Sequence, residues 1–128
     1  MLWSYLNIMW LRGKYKLCYT VIKVHERNDV KMTNFYVTYT LKDKAARDAF
    51  YGEVKTCGVI EKSLAEDGCI RYAYYYPADS ENQILLWEQW ESRQAQKNHT
   101  KQPHFKKLGE IKAKYPMETE ILIEDVQV

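Results

Sequence analysis

Cys69-Ile-Arg-Tyr-Ala-Tyr-Tyr-Tyr-Pro-Ala-Asp-Ser-Glu-Asn-Gln-Ile-Leu-Leu-Trp-Glu-Gln-Trp-Glu91 is the stretch on which the fold turns. Its first eight residues alternate, with Ile70, Tyr72, Tyr74 and Tyr76 on one face. Aromatic and β-branched side chains at that period favour a pleated strand. Pro77 to Asn82 has the composition of a turn-rich loop. Gln83 to Glu91 then reads as a further strand, apolar on both faces near its start.

Upstream, Ala46, Phe50, Val54, Cys57, Ile60 and Leu64 recur at steps of three and four, which places them on one face of a long helix. Asp43 suits its N-cap, Gly52 and Gly58 weaken it and mark a bend, and Asp67-Gly68 ends it. Before it, Asn34-Phe-Tyr-Val-Thr-Tyr-Thr-Leu41 is a strand by composition. Downstream, Ser92 caps a short helix running through Ala95 towards His99, and Thr100 to Gln102 interrupt it. Pro103 suits the first turn of another helix, which turns Phe105, Leu108 and Ile111 inward until Pro116 stops it. Met117 to Val126 alternates with Thr119, Ile121 and Ile123 on one face.

The order β-α-β-β-α-β predicts an α+β fold, a ferredoxin-like four-stranded antiparallel sheet with helices on one face. The opposite parity carries Tyr36, Leu85, Trp87 and Leu122. Such a face exceeds what a soluble monomer usually exposes, so a homodimer with two sheets at its centre is expected.

The chain has 128 residues, 19 basic and 17 acidic, for a formal charge of +2. The two signs alternate, which argues against nucleic-acid and membrane-surface partners. Cys18, Cys57 and Cys69 contain no CxxC pair, so neither a disulfide framework nor a zinc site is expected, and a reducing compartment fits. Nothing approaches a membrane span, and Leu2 to Leu11 has the wrong charge order for a signal peptide, so a cytoplasmic location is expected. Leu17 to Val24 reads as a strand and Glu26-Arg-Asn-Asp29 as a polar break. Residues 1–31 stand outside the regular pattern and 32–128 form the domain. Met32 precedes the first strand as an initiator would, so a start called too early is one reading of the leading segment; an added strand-helix unit or a swapped arm is the other.

Three short motifs point to a family. Glu66-Asp-Gly-Cys-Ile-Arg-Tyr72, Leu86-Trp-Glu-Gln-Trp-Glu-Ser92, and Ala95, His99 and Pro103-His-Phe105 occur in order. Together they resemble the junction, strand end and helix of antibiotic biosynthesis monooxygenase domains. The resemblance implies a dimeric α+β barrel. Its activities include cofactor-independent oxygenation of quinols and aromatic polyketides, and in other branches haem degradation and processing of a small signal. The haem branch has an Asn, a Trp and an axial His; Trp90 matches, but Tyr39 and Gly109 fall at the other two positions, which disfavours haem.

Glu88 shares strand parity with Trp90 and can serve as a base or orient a histidine; a structural hydrogen bond is the plainer role. His99 and His104 flank the helix interruption, and imidazoles titrate near neutrality, so either suits a general base; capping is the plainer role. Their spacing of five differs from the four of a helical metal pair, and no metal site or cofactor is expected. Trp90, Tyr72, Tyr74, Tyr39, Phe50 and Phe105 are candidate walls for a planar substrate, or simply core. His25 is assigned no role. The expected activity is oxidation of a quinol or other small phenolic substrate by O2 without a cofactor. The alternatives are an isomerase or processing enzyme for a small signal metabolite and a non-catalytic small-molecule-binding dimer.

Overall fold

A computed structural model describes residues 2–9, 18–25 and 31–127 of the chain. It divides into two compact units, one at the N-terminus and one spanning Lys31–Gln127. In the first, β1 (Leu2–Met9) and β2 (Cys18–His25) pair antiparallel, with Leu2 opposite His25 and Met9 opposite Cys18. The expected strand near Leu17 to Val24 is therefore present as β2; the polar break at Glu26 to Asp29 lies outside the described residues.

The second unit runs β3 (Lys31–Leu41), α1 (Lys44–Thr56), α2 (Val59–Leu64), β4 (Cys69–Tyr75), β5 (Gln83–Trp90), α3 (Arg93–His99), α4 (Pro103–Lys112) and β6 (Met117–Gln127). The sheet order is β4-β5-β3-β6, every pair antiparallel. That is the ferredoxin-like arrangement of two interleaved β-α-β units. The helix starts form for the expected reasons. The Asp43 carboxylate accepts from the Ala46 amide at 2.8 Å, the Ser92 hydroxyl accepts from the Ala95 amide at 3.1 Å, and Pro103 occupies the first turn of α4.

Three local readings change. The long helix is two, because Gly58 adopts φ +79°, a left-handed conformation that α-helix cannot continue. The break resets the helical phase, so Val59 and Ser63 are buried while Leu64 is 48% exposed. In β4, Cys69 pairs with Trp90 and Arg71 with Gln89, leaving Ile70 as the extra residue of a bulge. Ile70 is thereby turned outward, away from the face of Tyr72. In β6, Ile121 and Ile123 lie opposite Val37 and Phe35 in register yet are exposed. The strand is the sheet edge, and the helices pack over β3, β4 and β5.

The core lies between sheet and helices. Val37, Tyr39, Leu41, Tyr72, Ile84, Leu86 and Trp90 meet Phe50, Val54, Val59, Leu108 and Ile111. On the other face, Tyr36 and Trp87 approach with centroids 5.7 Å apart, Arg71 stacks over Trp87, and Leu122 is 64% exposed.

Candidate active site

Two helix ends and one turn bring the polar side chains together. His99 is the last residue of α3 and His104 the second of α4. The intervening turn is held by the Gln102 amide donating to the His99 carbonyl at 3.0 Å. Glu66 follows the C-terminus of α2, its carbonyl accepting from the Cys69 amide at 3.2 Å. Gly68, at φ +83°, makes that turn possible. The Gly68 carbonyl accepts from the Glu91 amide at 2.8 Å, which fixes the turn to the end of β5.

Glu66 sits between the two imidazoles. Its Oε1 and Oε2 lie 3.0 and 3.1 Å from His99 Nδ1, and Oε1 also pairs with His104 Nε2. An anion at a helix C-terminus is electrostatically unfavourable by itself, and donors from two histidines offset that cost. The favoured His99 tautomer therefore has its proton on Nδ1 and a free lone pair on Nε2. That Nε2 is buried and makes no hydrogen bond, and His99 is wholly buried. Around the ring stand Trp90 at 4.9 Å, Phe105 at 5.2 Å and Tyr72 at 5.5 Å between centroids.

Glu88 is on the same inner face but belongs to a separate pair. The Trp90 indole donates to Glu88 Oε2 at 2.9 Å. Burial pushes the Glu88 carboxyl above its ordinary value, opposed by the Trp90 bond and by His99. Lys112 is held down by desolvation, opposed by Glu88, and its ammonium lies 4.8 Å from the Tyr39 ring centroid. The phenols of Tyr39, Tyr72 and Tyr74 are all raised, first by burial, so they remain neutral donors. The hydroxyls of Ser63, Tyr72 and Tyr74 are buried without a well-formed hydrogen bond.

The sequence candidates thus sort into groups. His99, His104, Trp90, Tyr72 and Phe105 converge. Tyr39 and Phe50 pack edge-on at 5.6 Å and continue into Tyr115, away from the histidine pair. Tyr74 contacts Tyr72 on one side and Tyr51 on the other. Phe50 and Trp90 are fully buried and Tyr72 nearly so, so these walls are closed core surfaces in this conformation. Glu66 opens the first family-like motif, and the sequence expectations include no role for it. Its position was a usable signal, since a carboxylate beyond a helix C-terminus calls for compensating cations or donors nearby. Ser63 carried no signal, because the phase reset at Gly58 decides its burial.

The family model for antibiotic biosynthesis monooxygenase matches residues 42–110, a run that contains Glu66, Glu88, His99 and His104. The chain belongs to the antibiotic biosynthesis monooxygenase family. YjcS of Bacillus subtilis, an uncharacterized protein, is 30% identical over 83 residues, 65% of this chain and 79% of that protein. A solved structure of YjcS aligns with TM-score 0.56 at 25% identity, covering 76% of this chain and 98% of the other. Rv0793 of Mycobacterium tuberculosis aligns with TM-score 0.58 at 25% identity, covering 70% and 92%. A conserved protein from Bacteroides thetaiotaomicron aligns with TM-score 0.66 at 19% identity, covering 77% and 100%, which shows a shared fold. Among the described residues no helix is long and apolar enough to cross a membrane.

Proposed function

We propose that this antibiotic biosynthesis monooxygenase family member oxidises a small hydroxylated aromatic, of the hydroquinone class, with O2 and without a cofactor. The observation that carries the reading is His99: Nδ1 is held by Glu66 while Nε2 is buried, unpartnered and ringed by aromatic side chains. This is the arrangement of an oriented general base. A planar phenol, admitted when the closed walls at Trp90 and Tyr72 part, gives its proton to His99 Nε2. The phenolate passes one electron to O2, and the radical pair closes a C–O bond at a ring carbon bearing hydrogen. One oxygen atom stays on that carbon and the other leaves as water, so a hydroquinone and O2 become a hydroxyquinone and water. Neutral hydroxyls of Tyr72, Tyr74 and Ser63 supply donors for the second substrate oxygen. The apolar surround excludes water from the radical pair. His104 and Glu66 orient His99, and Glu88 is a second candidate base.

The same reading includes a homodimer. Leu122 of the edge strand β6 is exposed on the outer face, which also bears Tyr36, Leu85 and Trp87. A partner sheet covering that face is the expected remedy.

Oxygen uptake by the purified chain, supplied with a panel of hydroquinones, tests the activity. His99→Ala should lower turnover by about 100-fold or more, the usual scale for a removed general base. Glu66→Gln should lower it by about 10-fold or more by loosening the tautomer. No uptake across the panel by wild type overturns the reading, and so does full uptake by His99→Ala.

A further inference from the structure

We propose that Glu66, His99 and His104 form a binding site for a borderline divalent cation, Zn2+ being the best match, that replaces the hydrogen-bonded protons of this cluster. One potential ligand atom from each residue lies within 4.8 Å of the other two. A tetrahedral Zn2+ with bonds of about 2.0–2.1 Å sets its ligand atoms about 3.3 Å apart. The His99 Nδ1 to Glu66 separations of 3.0 and 3.1 Å are already close to that edge. The other two edges must adjust from within the 4.8 Å bound, through rotation of the His104 and Glu66 side chains. Two imidazoles and one carboxylate are a zinc donor set that leaves a fourth position for water. The spacing of five between the histidines does not prevent it, because they sit on two helix ends and the third ligand comes from another turn. The side chains of Glu66 and His104 are 14% and 10% exposed, which gives an ion a path from solvent. The Cys69 thiol is pushed up to about 11 by burial and then by Glu66 and Glu88, and it stands outside the ligand set.

The consequence for the base rests on the function proposed above. Coordination at Nδ1 requires the His99 proton to move to Nε2. The ring then presents a donor, where before it presented a lone pair, to its aromatic surround. Bound Zn2+ therefore blocks proton abstraction. The unpartnered Nε2 also sets the strength, since metal-bound imidazoles are usually braced by an acceptor on the other nitrogen. Reversible binding follows, as opposed to a locked structural ion.

Calorimetric titration of the chelator-stripped full chain with Zn2+, without substrate, tests the site independently of activity. One ion per chain is expected. Glu66→Gln and His104→Ala should each weaken it by about 10-fold or more, while His25→Ala leaves it unchanged. The Co2+-loaded chain should show tetrahedral d–d bands and no thiolate charge-transfer band. Nitrogen-detected NMR of His99 should move its proton from Nδ1 to Nε2 on Zn2+ addition. No stoichiometric binding at micromolar Zn2+, unchanged affinity in both variants, or a thiolate band overturns the proposal. If either variant fails to fold by circular dichroism, the other and the Co2+ spectrum decide. Binding without any O2 uptake upholds the metal site and sinks only the oxygenase reading.

Discussion

The turn that presents Glu66 depends on a glycine pressed against a helix, and alanine there separates two costs. An added Cβ at Gly68 falls 2.7 Å from Ala95 Cβ on α3, and the residue holds φ +83°. The left-handed conformation costs an L-residue about 1–2 kcal/mol. The overlap is with a rigid methyl at helix and turn, and overpacking of this kind costs about 1–3 kcal/mol. Gly68→Ala should therefore lose about 2–5 kcal/mol, or about 8–40 °C in Tm for a domain of this size. Gly58 is the matched control. It holds φ +79°, but its added Cβ meets only the flexible Lys62 Cε at 3.7 Å, so Gly58→Ala should show the conformational cost alone. Gly52 lies inside α1 with nothing within 4 Å, and Gly52→Ala should gain about 0.5–1 kcal/mol. Urea unfolding or calorimetry reads all three. In an Ala95→Gly background the Gly68→Ala cost should fall to the level of Gly58→Ala. An equal cost of Gly68→Ala in both backgrounds would refute the close packing of the turn on α3.

Three further outcomes follow from other parts of the structure. Glu88 has its carboxyl raised by burial, so its contribution to stability is fully present below the unfolded value of 4.5 and lost as pH rises through the folded value. Glu88→Gln keeps an oxygen for Trp90 and should raise Tm at about pH 7, with the gain shrinking as pH falls towards the unfolded value; a gain independent of pH in calorimetry contradicts this. Leu122→Glu changes an exposed side chain and should cost a monomer within about 0.5 kcal/mol, yet in light scattering it should dissociate the proposed dimer. Ser92→Ala removes the acceptor for the Ala95 amide and should cost about 1 kcal/mol, with Ser92→Asp restoring it.

Local chemistry made much of this fold legible. Asp43, Ser92 and Pro103 mark helix starts by hydrogen-bond demands that act within a few residues, and all three act where the sequence placed them. The break between α3 and α4 was readable for the same reason. Gly58 was readable as a weak point, but its left-handed conformation was not, and the phase of α2 depends on it. The bulge at Ile70 escaped because strict alternation continues through Tyr76, while the ladder is set by pairing with β5. For the candidate site, the structure brings His99, His104, Trp90, Tyr72 and Phe105 together. The pairing of His99 and His104 with Glu66 was not visible, because it joins residues 33 and 38 positions apart. The alternation of β6 shows which residues share a face and not whether a helix reaches it, and Ile121 and Ile123 stay exposed.

Among the described residues β6 ends the four-stranded sheet, and its charges bear on pairing with another copy of itself. An eleven-residue strand at a sheet edge, with an Ile-Leu-Ile centre, is a template for another copy of itself. Glu118, Glu120, Glu124 and Asp125 flank that centre. If two copies met antiparallel with Leu122 opposite Leu122, Glu120 would face Glu124. A slip of one residue sets Glu118 against Asp125 in one direction and Glu120 against Asp125 in the other. Like charges directly opposite oppose each such ladder by about 0.2–1 kcal/mol per pair. The strand can offer its apolar sides to a neighbouring surface while its edge resists stacking into an endless sheet.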